Sequence, residues 1–157
     1  MATVQRFEDL VCWQRARELT RFVYRATRQP AFAKDRGLTD QIQRAAVSVM
    51  SNTAEGFDRG TRETLVNYFF IAKGSCGEVR CQLYVAYDER YITDAQLREG
   101  LERTDAVSRL IQSFVEKVKA GGRSGVQFKT PPRRDEMKEF LREEMKPEEF
   151  KKRYPDG

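Results

Sequence analysis

The chain has 157 residues, 34% of them charged and 39% hydrophobic, with a formal net charge of +5 and no histidine. That length suits one domain with room for an appendage, and no apolar run approaches the ~20 residues of a membrane span. The missing histidine excludes Ser-His and Cys-His nucleophile pairs and the Glu-x-x-His pairs of di-iron bundles, and it removes the commonest metal ligand.

The first predicted helix covers residues ~7–28. At 100° per residue, Cys12, Ala16, Leu19, Val23 and Ala26 share one face, with Val11 and Phe22 at its edge. Arg17, Arg21, Arg25 and Arg28 lie nearly opposite, and Trp13 sits on the flank. The arginine line reads either as a solvated face or as a ridge that tracks nucleic-acid phosphates. No acidic residue interrupts it, which keeps the second reading open. Pro30 is expected to end the helix, leaving AFAKDRG as a connection.

The stretch from Leu38 to Gly60 predicts a second helix, capped by Thr39 or Asp40. Its apolar face is Leu38, Ile42, Ala45, Val49 and Thr53, with Ala46 beside it. A polar line of Gln41, Arg44, Ser48, Asn52 and Glu55 runs the length of the helix. Such a line faces water or forms a hydrogen-bonded seam between helices or subunits. Glutamine, serine and asparagine favour the seam, because the simple solvent faces of this chain use arginine, lysine and glutamate.

Gly56 and Gly60 are expected to bracket the next turn, and Thr61 to cap a third helix over ~61–91. Leu65, Phe69, Ala72, Cys76, Val79, Leu83 and Ala86 make its core stripe, and Phe70, Gly74, Gly77 and Cys81 make a second. A helix-interior glycine costs about 1 kcal/mol. Two on one face imply close helix packing on a second side, a hint of oligomerisation, although an ordinary core role for Phe70 stands beside it. Thr93 or Asp94 starts a fourth helix over ~94–120, with Leu97, Leu101, Thr104, Ser108, Ile111, Val115 and Val118 as its seam and Val107, Leu110 and Phe114 widening it.

The bundle is therefore expected in residues 1–120. Residues 121–157 open with Gly121, Gly122 and Gly125, carry Pro131-Pro132, and form a charged tail. Met137, Phe140, Leu141 and Met145 there share one helical face, and Phe150 and Tyr154 follow Pro147. The tail reads as disordered, as folded back on the bundle, or as a docking peptide for a protein partner.

The basic surplus is concentrated in residues 1–60, with ten basic side chains against seven acidic. That allows a bound polyanion without demanding one. The N-terminal MATVQRFEDL has no apolar signal region and the three cysteines sit in helical patterns, so reduced, buried thiols in a cytoplasmic protein are expected. Cys76 and Cys81 lie about 140° apart on one helix and do not converge on a metal. No phosphate-binding GxxxxGK[ST] loop is present. Glu55 and Glu78 could form a carboxylate pair, but pairing with Arg44 or Arg59 as structural ions is the stronger reading. No catalytic residue, cofactor or metal is expected.

Four blocks resemble one family. Phe7, Leu10, Trp13, Ala16 and Leu19 resemble its opening F-x-x-L-x-x-W-x-x-A-x-x-L. Gln41 with Arg44-Ala45-Ala46 and Ser48 resembles Q-x-x-R-A-A-x-S. Asn52, Ala54-Glu55-Gly56 and Arg59 resemble N-x-A-E-G-x-x-R. Phe69, Ile71-Ala72, Gly74-Ser75 and Glu78 resemble F-x-x-I-A-x-G-S-x-x-E, shifted within the Phe69-Phe70 pair. The resemblance is to the bacterial four-helix-bundle proteins encoded in 23S rRNA intervening sequences, and it spans about residues 7–118. It implies an all-α, antiparallel up-down four-helix bundle, assembled as a ring-like homopentamer. It also implies a distant likeness to the accessory subunit of diversity-generating retroelements, which works with a reverse transcriptase and RNA. No catalytic residues transfer. Thr53 stands where the family usually has isoleucine, and the 121–157 tail has no equivalent in the pattern.

Overall fold

The structure, a computed structural model, describes residues 4–120, and every regular element in them is helical. A 3-10 turn at Phe7–Asp9 precedes α1 (Val11–Thr27), a short α2 (Pro30–Lys34), α3 (Arg36–Asp58), α4 (Arg62–Asp88) and α5 (Asp94–Lys119). The docking residues expected in the tail, Met137, Phe140, Leu141 and Phe150, lie outside the described residues.

The four long helices pack in a closed order: α1 against α3 and α5, and α4 against α3 and α5. Consecutive long helices run in opposite directions. The Gln43 amide near the start of α3 donates to the Thr27 hydroxyl at the end of α1 (2.8 Å), and Arg62 at the start of α4 donates to the Lys119 carbonyl at the end of α5. The core is one cluster. Cys12, Ala16, Leu19, Val23 and Ala26 of α1 meet Ile42, Ala45 and Val49 of α3, the full expected stripe of α4, and Val107, Ile111 and Val115 of α5. Each leucine, isoleucine, valine or phenylalanine buried in this way stabilises the fold by about 1.5–3 kcal/mol before conformational entropy is counted.

Several boundaries differ from the sequence reading, each for a local reason. Leu10 is extended (φ −72°, ψ 121°), so the first predicted helix divides into a 3-10 turn and α1. Pro30 does not simply terminate a helix. It occupies the first turn of α2, where its missing N–H costs nothing. The expected connection thereby delivers Phe32 into the core, fully buried and stacked on Tyr91 at 5.3 Å between ring centroids. Asp35, not Thr39 or Asp40, caps α3 by accepting from the Leu38 N–H at 3.0 Å. The Thr39 hydroxyl donates instead to the Phe32 carbonyl.

Gly60 alone makes the α3–α4 turn, at φ 74°, a region that disfavours side chains. Gly56 is inside α3 and buried, where an added Cβ would stand 2.8 Å from Tyr68 Cβ. Thr61 and Thr93 cap α4 and α5 as expected, Thr93 with a full capping box through Gln96. Cys12 and Cys76 are buried, but Cys81 is exposed, because its side of α4 is uncovered within the chain.

Candidate functional site

Two surfaces carry the residues singled out above. The first is the outer side of α1. Arg17, Arg21, Arg25 and Arg28 are all exposed there, and none has a carboxylate within ion-pair distance among the described residues. The arginines around them are engaged. Arg15 pairs with Glu18 (2.8 Å), Arg103 with Glu99 (2.8 Å), Arg98 with Asp94 (2.7 Å) and Arg109 with Asp105 (3.3 Å). Arg17 lies over the Trp13 ring, 5.9 Å from its centroid, which holds the head of the ridge against an aromatic face.

The second surface is shared by α3 and α4. The polar line on α3 divides in two. Ser48 and Ser75 hydroxyls hydrogen-bond at 2.9 Å, and the Asn52 amide donates to both the hydroxyl and the carbonyl of Ser48. This is a seam between helices of one chain. Gln41 and Arg44 are exposed instead, and with Ser48, Glu78 and Gln82 they line an open polar depression of about 530 Å³. Arg44 pairs with Asp40 (3.4 Å), not with Glu55 or Glu78. Oε1 of Gln82 is buried and has no hydrogen-bond partner among the described residues.

At the foot of the same line, Glu55 accepts from Arg59 at 2.6 Å, and the Arg59 guanidinium lies over the Tyr68 ring at 5.0 Å. The hydrogen bond from Arg59, aided by Tyr68, holds the Glu55 carboxyl below its usual range, while the Glu55 carboxylate pushes the Tyr68 hydroxyl up. Glu55 and Glu78 thus have separate environments and do not form a carboxylate pair. Among the described residues no cluster of three or more histidine, cysteine or carboxylate groups could hold a metal, and no helix is long and apolar enough to cross a membrane.

The expected close helix packing of Phe70, Gly74, Gly77 and Cys81 is not made among the described residues. An added Cβ at Gly74 or Gly77 meets nothing within 4 Å. Phe70 is 41% exposed, which also rules out an ordinary core role. Ile71, Tyr84 and Val85 are exposed along the same side of α4, and Val47 of α3 is exposed beside them. α4 is therefore apolar on both its buried and its outward sides. Sequence reasoning identified this stripe by its glycines but missed Ser75 and Gln82. Ser75 entered only through the Gly74-Ser75 block of the resemblance and Gln82 only as one polar residue among several on α4, and neither signal says which neighbour they meet.

A family model described as 23S rRNA-intervening sequence protein matches residues 8–113. The chain is also similar to a solved structure, a protein with unknown function from the S23 ribosomal protein family of Bacteroides thetaiotaomicron VPI-5482. That likeness has a TM-score of 0.62 at 21% identity and covers 68% of this chain and 99% of that one. It concerns the fold alone. The comparison with curated proteins found no match.

Proposed function

From the premise that this chain belongs to the 23S rRNA-intervening sequence protein family, we propose that it is a non-enzymatic, homo-oligomeric bundle that binds RNA through the α1 ridge. One observation carries the reading. Arg17, Arg21, Arg25 and Arg28 are exposed in line and unpaired among the described residues, while most arginines on neighbouring surfaces hold a carboxylate. A solvated face needs no such separation of sign, whereas a phosphate ridge does. The exposed apolar stripe of α4 and the outward part of the α3 polar line, Gln41 and Arg44, supply the contact between copies, and a pentamer is the number to test. Repetition about a symmetry axis turns a weakly basic ridge into a multivalent one. Exposed aromatic platforms do not alternate with the arginines, so the contact is to backbone and shape rather than to particular bases.

The test is binding of a labelled structured RNA, a 23S rRNA fragment beside an unrelated hairpin of equal length, across a salt series. Affinity should fall steeply with salt. Charge reversal at Arg21, Arg25 and Arg28 should weaken it at least tenfold and flatten the salt slope by roughly 0.7–0.9 for each phosphate no longer neutralised. Glu89→Ala should leave it unchanged. Salt-insensitive binding, or equal loss in the Glu89 variant, removes the RNA half of the proposal.

A second reading keeps the oligomer and drops the nucleic acid, making the protein a scaffold that recruits a protein partner through its tail. The α4 stripe supports its assembly half equally. Light scattering after nuclease treatment in high salt, with absorbance at two wavelengths, separates the two: an oligomer never associated with nucleic acid favours the scaffold.

A further inference from the structure

A third feature belongs to neither surface. Where the start of α1 passes the last turns of α5, the chain leaves an apolar hollow of about 230 Å³. Buried Leu10 and Cys12 form its floor, and Val11, Leu110 and Phe114 form its walls. Val11 is 55% exposed, the highest exposure among the large hydrophobic residues of the described chain. A single exposed valine is ordinary. A valine standing over a hollow with two half-buried apolar walls leaves a concave apolar site open.

The chain itself supplies an occupant. α5 ends at Lys119, so the tail leaves the bundle within about 14 Å of every residue on the α5 wall, at 1.5 Å of rise per residue. Residues 121–136 contain three glycines, and a Gly-rich chain of that length has an end-to-end distance of roughly 20–24 Å. That is enough to turn back to the hollow, and the loop-closure cost of such a length is modest. Directly after the tether come Met137, Phe140, Leu141 and Met145, spaced to present one apolar helical face. The rim carries one charge of each sign, Lys117 and Asp9, and at 100° per residue the charges of the segment that border its apolar face are Glu144 and Lys138.

We propose that residues 137–145 of the chain's own tail seat in this hollow. Phe140 and Leu141 fill the apolar centre, and Lys117 meets the Glu144 carboxylate. The seated segment clips the start of α1 to the end of α5 and covers the α1–α5 seam, away from the α3–α4 surface. It also accounts for an apolar segment in a tail otherwise rich in charge.

The full chain tests this by hydrogen exchange and carbodiimide cross-linking, both read by mass spectrometry. Val11→Asp changes an exposed wall, and circular dichroism verifies that its bundle is intact. Amides of 137–145 should exchange at least tenfold more slowly in the natural chain than in Val11→Asp. Phe140→Asp with Leu141→Asp should expose the wall peptides around residues 10–14 and 110–117 in return, and Phe150→Asp should change neither set. Lys117 should cross-link to Glu144. Equal exchange in the natural chain and Val11→Asp, with no Lys117 cross-link, overturns the proposal. In an equal mixture of ¹⁴N- and ¹⁵N-labelled chains, mixed-isotope cross-links at about half of the total, the statistical share expected of exchange between copies, assign the hollow to a neighbour's tail and overturn it too. Cross-links within single-isotope species alone support it.

Discussion

Helices α4 and α5 share one core, differ by a single residue in length, and treat their outer faces in opposite ways. The outer face of α5 carries Asp94–Arg98, Glu99–Arg103 and Asp105–Arg109, each with the acid four residues before the arginine. That order also suits the helix dipole. Such pairs contribute only about 0.3–0.5 kcal/mol each, so their main effect is a face adapted to water. On α4 no ion pair forms among the described residues, and Phe70, Ile71, Cys81, Tyr84 and Val85 stand where α5 has charge. A bundle of this kind needs one apolar face per helix. The second face of α4 is therefore surplus to the bundle formed by the described residues, and an apolar stripe along a whole helix marks a surface for covering.

The neighbours Phe69 and Phe70 give the largest effect with which to break this contrast. Phe69 is fully buried and packs on Phe114 at 4.9 Å between ring centroids, so Phe69→Ala should cost about 3–5 kcal/mol in denaturant unfolding. Phe70→Ala should stay within about 0.5 kcal/mol for the dilute monomer, yet lower the mass seen by light scattering at higher concentration. Equal destabilisation at both positions would mean that the outer face of α4 is covered within the chain.

A glycine pair sharpens the same point at a smaller scale. Gly56→Ala drives a Cβ to within 2.8 Å of Tyr68 Cβ and 3.3 Å of the Leu65 carbonyl, neither of which can swing aside, and should cost about 1–3 kcal/mol. Gly77→Ala meets open space and should stabilise the monomer by roughly 0.5–1 kcal/mol by restricting the unfolded chain. If copies approach closely on α4, the same change weakens association, so the two readouts move in opposite directions.

Thiol chemistry gives the smallest effect. Burial pushes the Cys12 thiol up to about 11 and the Cys76 thiol up to about 12, while Cys81 is exposed. At pH 8 in dilute protein, Cys81 should be alkylated first and the other two slowly. Concentrating the protein should protect Cys81 if copies cover it. The raised thiol values also set a sign. The unfolded chain releases these protons first, so their contribution is complete below the ordinary value of 9.0 and declines as pH rises from there through about 11 to 12. Denaturant midpoints should fall across that alkaline window, and less so in a Cys12→Ala, Cys76→Ala double variant.

The core residues of α4 were legible in the sequence because their 3.6-residue period is a property of one helix. The four ridge arginines of α1 could likewise be placed on one face from spacing alone. Capping chemistry was legible where the side chain and the amides it serves lie within three residues, as at Thr61 and Thr93. It misled at Asp35, because α3 begins before its apolar period does. The buried Phe32 was missed for a related reason: a five-residue helix is too short to show a period.

What the chain determines by itself is which side of each helix is apolar, and hence four long amphipathic elements and one with two apolar sides. Which apolar side is buried in the bundle and which is left open was decided by tertiary structure. Helix α4 can meet only two neighbours in a closed four-helix order, so one of its two stripes is left without a helix partner among the described residues. The same geometry decided that Ser48, Asn52 and Ser75 satisfy one another, while Gln41 faces outward and Gln82 Oε1 is buried without a partner among the described residues. Hydrogen bonds between helices depend on register and distance, and spacing along a single helix contains neither.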